Sequence, residues 1–270
     1  MRLGVSLSLA GDDGSGGKSY VTGLGLAERT GFDSLWFFDT IGRGSFRPDP
    51  VSAMSAAAAV TEGIEIGTCI LQVPLRHPVE LAHRILSAHF LSGGRLLLGV
   101  GAGSTATDFA AVEADFEGRF RMLKEALPRM QGLWRGETIG GVNLTPLPSA
   151  QGGPPILIGS WAGSRWIPIA AKRYNGWIAS AHFTNIAKLK EGIARYRGEG
   201  GGRAIATNIP VDLTADGAAL SDGDHLDLRC GPEEAAVRLE KLAEIGFDDA
   251  VVTVSNFTKE HLAAVRALHP

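Results

Sequence analysis

The stretch Ile64–Ser104, IEIGTCILQVPLRHPVELAHRILSAHFLSGGRLLLGVGAGS, decides the fold because it sets two buried strands around one helix. The apolar run Ile64–Leu71 breaks at Pro74, an amphipathic segment follows Pro78, and Ser92-Gly93-Gly94 turns the chain into a second run, Arg95–Val100. This is one βαβ unit, and both of its strands end in glycine-bearing loops of the kind that line ligand sites.

Outward from that unit, further apolar runs punctuated by glycine occur at Leu3–Leu9, Ser34–Phe38, Ile156–Ile158, Gly176–Ala179, Ala204–Leu213 and Ala250–Val254. Near-continuous apolar runs suit strands covered on both faces, the condition of a parallel sheet. Helical spacing follows them: Tyr20, Leu24 and Ala27 before Gly31; Ala236, Leu239, Leu242 and Ala243 before Gly246; Leu262, Val265 and Leu268 at the end. Eight repeats of strand then helix fit a (β/α)8 barrel, or alternatively a doubly wound open sheet. Gly136–Pro155 and Gly198–Arg203 read as surface loops, and no linker marks a second domain, so residues 1–270 are expected to form a single domain.

Composition bounds the function. With 270 residues, 44% hydrophobic and 20% charged, the chain supports one large core or two small ones. A net charge of −3 with dispersed lysines and arginines gives no footprint for nucleic acid or an anionic membrane. Cys69 and Cys230 lack a C-x-x-C spacing and read as buried reduced thiols, which suits the cytoplasm. The chain opens on a strand without a basic leader and has no bilayer-length apolar run, so a soluble, unexported protein is expected.

The central stretch resembles the bacterial luciferase-like family of flavin-dependent oxidoreductases, through Pro74, His77, Pro78, Ser92 to Arg95, Gly99, Gly101 and Gly103. Family-like segments also occur, in the order the family requires, at Ala27–Thr40, Pro154–Ser164, Asn175–Ser180 and Gly231–Val252. The resemblance implies a single luciferase-like (β/α)8 TIM barrel. It also implies a cofactor, either reduced FMN or an 8-hydroxy-5-deazaflavin coenzyme, a small-molecule substrate, a separate flavin reductase and a homodimer. Reduced FMN with oxygen would oxygenate the substrate, whereas the deazaflavin would transfer hydride without oxygen. The excursion before the fifth strand is short, Glu137–Gly153, which leaves the pocket more open than in longer relatives.

In such a barrel the chemistry sits at the carboxyl ends of the strands. The loop Gly159-Ser160-Trp161-Ala162-Gly163-Ser164 joins a strand to a helix, so its N–H groups and hydroxyls can converge on an anion. By resemblance it is the cofactor phosphate site, with Gly159, Ser160, Gly163 and Ser164 as contacts and Arg119 as salt partner, Arg121 competing for that role. Ser164 as a helix cap and Arg119 as a surface residue are the plainer alternatives. The resemblance further places a non-prolyl cis peptide at Cys69–Ile70, against the cofactor ring, and Gly101 beside it. Many relatives carry histidine after the acidic residue of strand two, whereas this chain has Asp39-Thr40, so no imidazole proton carrier stands there. Ala102 stands where relatives place an arginine or a catalytic glutamate. Asp39 either orients substrate or cofactor or is a buried structural carboxylate, and His182 either acts on substrate or is a loop histidine. Catalytic candidates are therefore Asp39, Thr40 and His182. His77, His83 and His89 recur every six residues and share no helical face, so no metal site is expected.

Three other readings compete. Gly11–Ser19 nearly matches the phosphate-binding loop G-x-x-x-x-G-K-[ST] of an NTPase, but Asp12 occupies the first glycine position. Gly99-x-Gly101-x-Gly103 imitates a dinucleotide fingerprint on the wrong strand. A barrel without His at position 40 or a charge at position 102 could also bind flavin without turning it over.

Overall fold

The computed structural model describes residues 1–9, 16–41, 43–44 and 46–269. In chain order the strands are β1 (Arg2–Leu7), β2 (Ser34–Phe37), β3 (Glu65–Thr68), β4 (Leu71–Gln72), β5 (Leu96–Gly101), β6 (Ile156–Gly159), β7 (Gly176–Ser180), β8 (Arg203–Asp212), β9 (Leu228–Arg229) and β10 (Asp249–Val254). The helices are α1 (Gly16–Thr30), α2 (Pro50–Val60), α3 (Pro78–Leu91), α4 (Ala106–Ala110), α5 (Arg119–Trp134), α6 (Ile167–Arg173), α7 (Ile186–Gly198), α8 (Pro232–Ile245) and α9 (Lys259–Arg266). The sheet order is β10-β1-β2-β3-β5-β6-β7-β8, and β8 pairs again with β10. That order closes on itself with helices between strands, which is a (β/α)8 barrel and not an open sheet. No helix among the described residues is long and apolar enough to cross a membrane.

Each of the eight expected runs carries a strand. The third is split: β3 ends at Thr68, the Cys69–Ile70 peptide is cis, and β4 resumes at Leu71. Two features lacked a sequence signal. Short β9 adds to the end of β8 through Val211↔Leu228. A bulge interrupts β8, where Thr207 and Asn208 together face the single residue Val251 of β10 and Asn208 adopts φ 59°. Asparagine tolerates this left-handed backbone better than most residues.

The chain forms two compact units. Unit 1 holds Met1–Trp36 and Ile156–Pro270. Its parallel strands β1, β8 and β10 bury Val5, Ile205 and Val252 completely. The Trp177 ring packs 5.6 Å from Tyr196 and 5.8 Å from Phe247, closing the core beneath α7 and α8. Helix α8 begins at Pro232 with two glutamates in its first turn and ends on Gly246 at φ 110°, a position that strongly favours glycine. Its buried side is Ala235, Arg238, Leu239 and Leu242. The expected face is thus corrected, since Ala236 and Ala243 are only half-buried. Arg238 hides among apolar neighbours because Asp227, Glu234 and the Ala218 carbonyl accept its protons.

Unit 2 holds Phe37–Pro155. Trp134, fully buried at the end of α5, donates to the Ala82 carbonyl of α3 at 2.9 Å. Gly153 lies flat on that indole; a Cβ there would fall 2.5 Å from the ring. The segment expected to be only surface loop is therefore pinned at its end. Helix α2 starts at Pro50, with Asp49 accepting from the Ser52 N–H at 3.0 Å. Arg95, after the turn at Gly93 and Gly94, donates to the carbonyls of Ser92, Ala58, Thr61 and Ile64 and to the Thr61 hydroxyl. One guanidinium thus satisfies carbonyls at the ends of both α2 and α3.

His89 is buried on α3, and among the described residues its Nδ1 has no partner. Burial disfavours the imidazolium and lowers its pKa from 6.5. A depressed folded value means that full stability holds above 6.5 and is lost as pH falls from there through the folded value. Thermal unfolding of the protein and of His89→Gln is expected to show the native chain losing stability relative to the variant below that pH. A difference that stays constant from about pH 8 to 5 would contradict this burial argument.

Candidate active site

In unit 2 the ends of β2, β4 and β5 carry a connected set of charges. Asp39, just past β2, is 5% exposed. Its Oδ2 accepts from the Gln72 backbone N–H at 2.8 Å and from Arg76 Nη1 at 2.6 Å, and its Oδ1 accepts from Arg76 Nη2 at 2.9 Å. Burial by itself lowers the pKa of Arg76, but hydrogen bonding and the charges of Asp39 and Asp49 raise it overall, so the guanidinium is held charged.

A second buried carboxylate, Asp108 on α4, mirrors the first. Arg43 donates to it through Nε at 3.0 Å and through Nη2, the Gln72 side chain donates at 2.8 Å, and the Ile41 N–H donates at 3.3 Å. Burial alone would raise its pKa; the bonds from Arg43 and Gln72, the Arg43 charge and the Ile41 N–H outweigh it and hold the carboxyl below 3.8. Gln72 joins the two pairs, since its Nε2 also donates to the Asp39 carbonyl at 2.8 Å. Two buried oxygens, Gln72 Oε1 and Thr40 Oγ1, have no partner among the described residues.

The neighbouring backbone is tight. Gly101 pairs with Gln72 in the β4–β5 register. Gly103, at φ 83°, has no room for a side chain: a Cβ would lie 2.5 Å from Gln72 Oε1 and 2.8 Å from the Phe109 ring. Arg119 opens α5, donates to the Gly103 carbonyl at 3.2 Å and lies 3.8 Å over the Phe116 ring. Arg121 instead faces solvent between Asp115 and Glu125. Burial pushes the Cys69 thiol well above its ordinary range, with the Arg47 charge opposing weakly, so it is not a nucleophile at neutral pH. Ile70 beside it is half-buried.

In unit 1 the loop after β6 is held locally. The Ser160 hydroxyl accepts from Trp177 Nε1 at 3.1 Å, and the Ser164 hydroxyl accepts from the Trp166 N–H at 3.0 Å. Each keeps its own proton available to donate. Helix α6 starts three residues after Ser164, so that serine closes a turn and does not cap the helix. Gly159 ends β6, and Gly163 is exposed with open space beside it. His182, after β7, is exposed and packs edge-on against Phe183, with ring centres 4.7 Å apart. The β8 bulge turns Asn208 so that its Nδ2 donates to the Ser180 hydroxyl at 2.9 Å.

Of the residues singled out from sequence, Asp39, Thr40, Cys69, Ile70, Gly101 and Arg119 therefore belong to unit 2, and Gly159, Ser160, Gly163, Ser164 and His182 to unit 1. Sequence reasoning missed Gln72, Arg76, Arg43 and Asp108. Arg76 lay inside the Pro74–Pro78 segment that carried the resemblance, and that was the one signal pointing to it. Asp108 sits on a five-residue helix with no motif around it. The NTPase-like segment falls partly outside the described residues, at Gly11–Ser15; its remainder opens α1, with Lys18 exposed.

Comparison with known proteins agrees with this architecture. The family model for luciferase-like monooxygenases matches residues 1–225. An F420-dependent glucose-6-phosphate dehydrogenase of Beutenbergia cavernae is 29% identical over 217 residues, which cover 75% of this chain and 59% of the relative. The chain thus spans about three fifths of that curated relative's length. Among solved structures, the monooxygenase RslO1 of Streptomyces bottropensis superposes with a TM-score of 0.82 at 18% identity, covering 99% of this chain and 97% of the other. The oxygenating constituent of 3,6-diketocamphane monooxygenase from Pseudomonas putida, a type II Baeyer-Villiger monooxygenase in complex with FMN, superposes with a TM-score of 0.77 at 15% identity, covering 98% and 96%. These two likenesses show the fold.

The paired charges predict strong coupling. Arg76→Met alone leaves the buried Asp39 charge unanswered and is expected to cost about 3–5 kcal/mol; Asp39→Asn leaves Arg76 with Asp49 at 3.4 Å and is expected to cost less, and the double variant costs clearly less than the sum. Denaturant unfolding of the four proteins measures this. Additive losses would show that the two side chains do not act as a pair.

Proposed function

Because the chain belongs to the luciferase-like monooxygenase family, we propose that it is an oxidoreductase that binds a flavin nucleotide or a deazaflavin and acts on a small organic substrate. The family match over residues 1–225 carries this reading. Its first form is oxygenation with reduced FMN and oxygen. Its second form, hydride transfer with the deazaflavin F420 and no oxygen, is favoured by the relative that depends on F420.

The residues present fit such a cofactor. In unit 2 the strand ends offer the unpartnered Gln72 Oε1 and Thr40 Oγ1 to a polar ring edge, next to the apolar Cys69–Ile70 segment and Gly101. In unit 1 the loop from Gly159 to Ser164 keeps two serine protons and open space at Gly163, which suits a phosphate. When bound, the cofactor supplies or receives the electron pair, and the protein contributes binding, orientation and exclusion of water.

The side chains divide those tasks. Asp39, with both oxygens engaged by Arg76 and Gln72, orients its neighbours. Thr40 donates or accepts one hydrogen bond and does not titrate near neutrality. His182 is exposed just past the end of β7 and is the proposed acid or base. The proposal extends to a cytoplasmic protein whose two cysteines stay reduced, with a separate reductase supplying reduced flavin. It also includes a homodimer through α2 and α3, where Val60, Phe90 and Leu91 are exposed.

Fluorescence titration with FMN and with F420 tests the reading, and binding of at least one is expected. Ser160→Ala with Ser164→Ala should then weaken FMN by about 1.5–3 kcal/mol per hydroxyl, before non-additivity, and leave riboflavin, which lacks the phosphate, nearly unchanged. Failure to bind either cofactor would overturn the proposal. Tight binding with no electron transfer to any aldehyde, amine, alcohol or sulfonate, with or without oxygen, would reduce it to a flavin carrier.

A further inference from the structure

The Gln72 amide is oriented by chemistry. Its Nε2 sits 2.8 Å from the Asp39 carbonyl and 2.8 Å from Asp108 Oδ2, and neither oxygen can donate. A flipped amide would press its oxygen against both, so the orientation follows from the partners. Oε1 is thereby turned away as a fixed acceptor on a residue that is 2% exposed, with no donor among the described residues. A buried acceptor left unmet is destabilising, and such groups in native folds are uncommon enough to call for an explanation. Gly103 faces this oxygen without a side chain to cover it, and a methyl there would come within 2.5 Å. Thr40 follows the residue whose carbonyl holds Gln72, and its buried hydroxyl is also unpartnered.

We propose that Gln72 is a specificity-determining residue that accepts a hydrogen bond from the imide N–H of the cofactor ring. This rests on the flavin or deazaflavin reading above. The imide edge of either ring carries one N–H between two carbonyl oxygens, a pattern of acceptor, donor, acceptor. An oxygen that can only accept, taken together with a hydroxyl free to donate on the residue after Asp39, would be complementary to half of that edge: Gln72 Oε1 takes the N–H and the Thr40 hydroxyl donates to an adjacent carbonyl. The two ion pairs make the match selective. Because Arg43 keeps the Asp108 carboxylate ionised and the Asp39 backbone carbonyl can only accept, the glutamine cannot turn to offer its NH2 group, and a ring without the donor leaves Oε1 unsatisfied.

The test uses whichever of FMN and F420 the protein binds, together with the same molecule methylated at the imide nitrogen. Both are titrated by fluorescence against the native protein and Gln72→Met, whose side chain has similar length and no strong acceptor, and the melting temperature of the variant is recorded. The native protein is expected to prefer the unmethylated cofactor by about tenfold or more, and Gln72→Met to lose most of that preference. Equal native affinity for the two ligands, or a preference that survives in Gln72→Met, overturns the proposal. Should that variant fail to fold, the native comparison decides, together with Thr40→Val, which is expected to weaken the unmethylated cofactor. Binding without discrimination removes this inference alone, whereas absence of any cofactor binding removes the functional reading with it.

Discussion

Two buried carboxylates, each answered by its own guanidinium and joined by a single glutamine amide, hold the strand ends of unit 2 in one arrangement. Asp39 with Arg76 and Asp108 with Arg43 bring together segments far apart in sequence: the end of β2, the loop after it, the end of β4, the turn before α3 and the short helix α4. Taking such charges out of water is costly, and removing one partner costs about 3–5 kcal/mol. Buried pairs of this kind add little net stability over an apolar core, so their value lies in geometry. Here they point one acceptor and leave it unmet.

That geometry also bears on the chemistry. Both Asp39 oxygens are taken by Arg76 and a backbone N–H, and the residue after it is threonine, which has no proton to exchange near neutrality. In the proposed reaction His182 is the proposed acid or base, and the unit 2 strand ends are proposed to bind and orient. The buried Cys69 thiol, pushed up by desolvation, adds shape without reactivity.

Much of the fold is legible in the order of the amino acids. Apolar runs such as Arg95–Val100 and Ala250–Val254 are strands because both of their faces are covered, and that coverage is written in consecutive apolar residues. The β8 bulge at Asn208 and the two-residue β9 are not legible in that way, since neither depends on a hydrophobic period. The site is legible in part. Residues at or just past strand ends, Asp39, Gly101 and Gly159, follow from strand assignment, and the serines of the loop after β6 follow from residue type. Arg76, Gln72, Arg43 and Asp108 do not, because a buried ion pair is set by which distant side chains meet, and single charges in a sequence look the same whether they face water or one another.

The two ion pairs and the Gln72 amide satisfy one another without a ligand, so the network is expected to be set before any ligand arrives. Amide hydrogen exchange of the ligand-free protein tests it at the Gln72 N–H, which donates to Asp39 at 2.8 Å. This amide is expected to exchange as slowly as the core amides of β5, and Arg76→Met is expected to release it selectively. Fast exchange at Gln72 in the native, ligand-free protein would contradict this expectation, because the strand ends would then be organised only by what they bind.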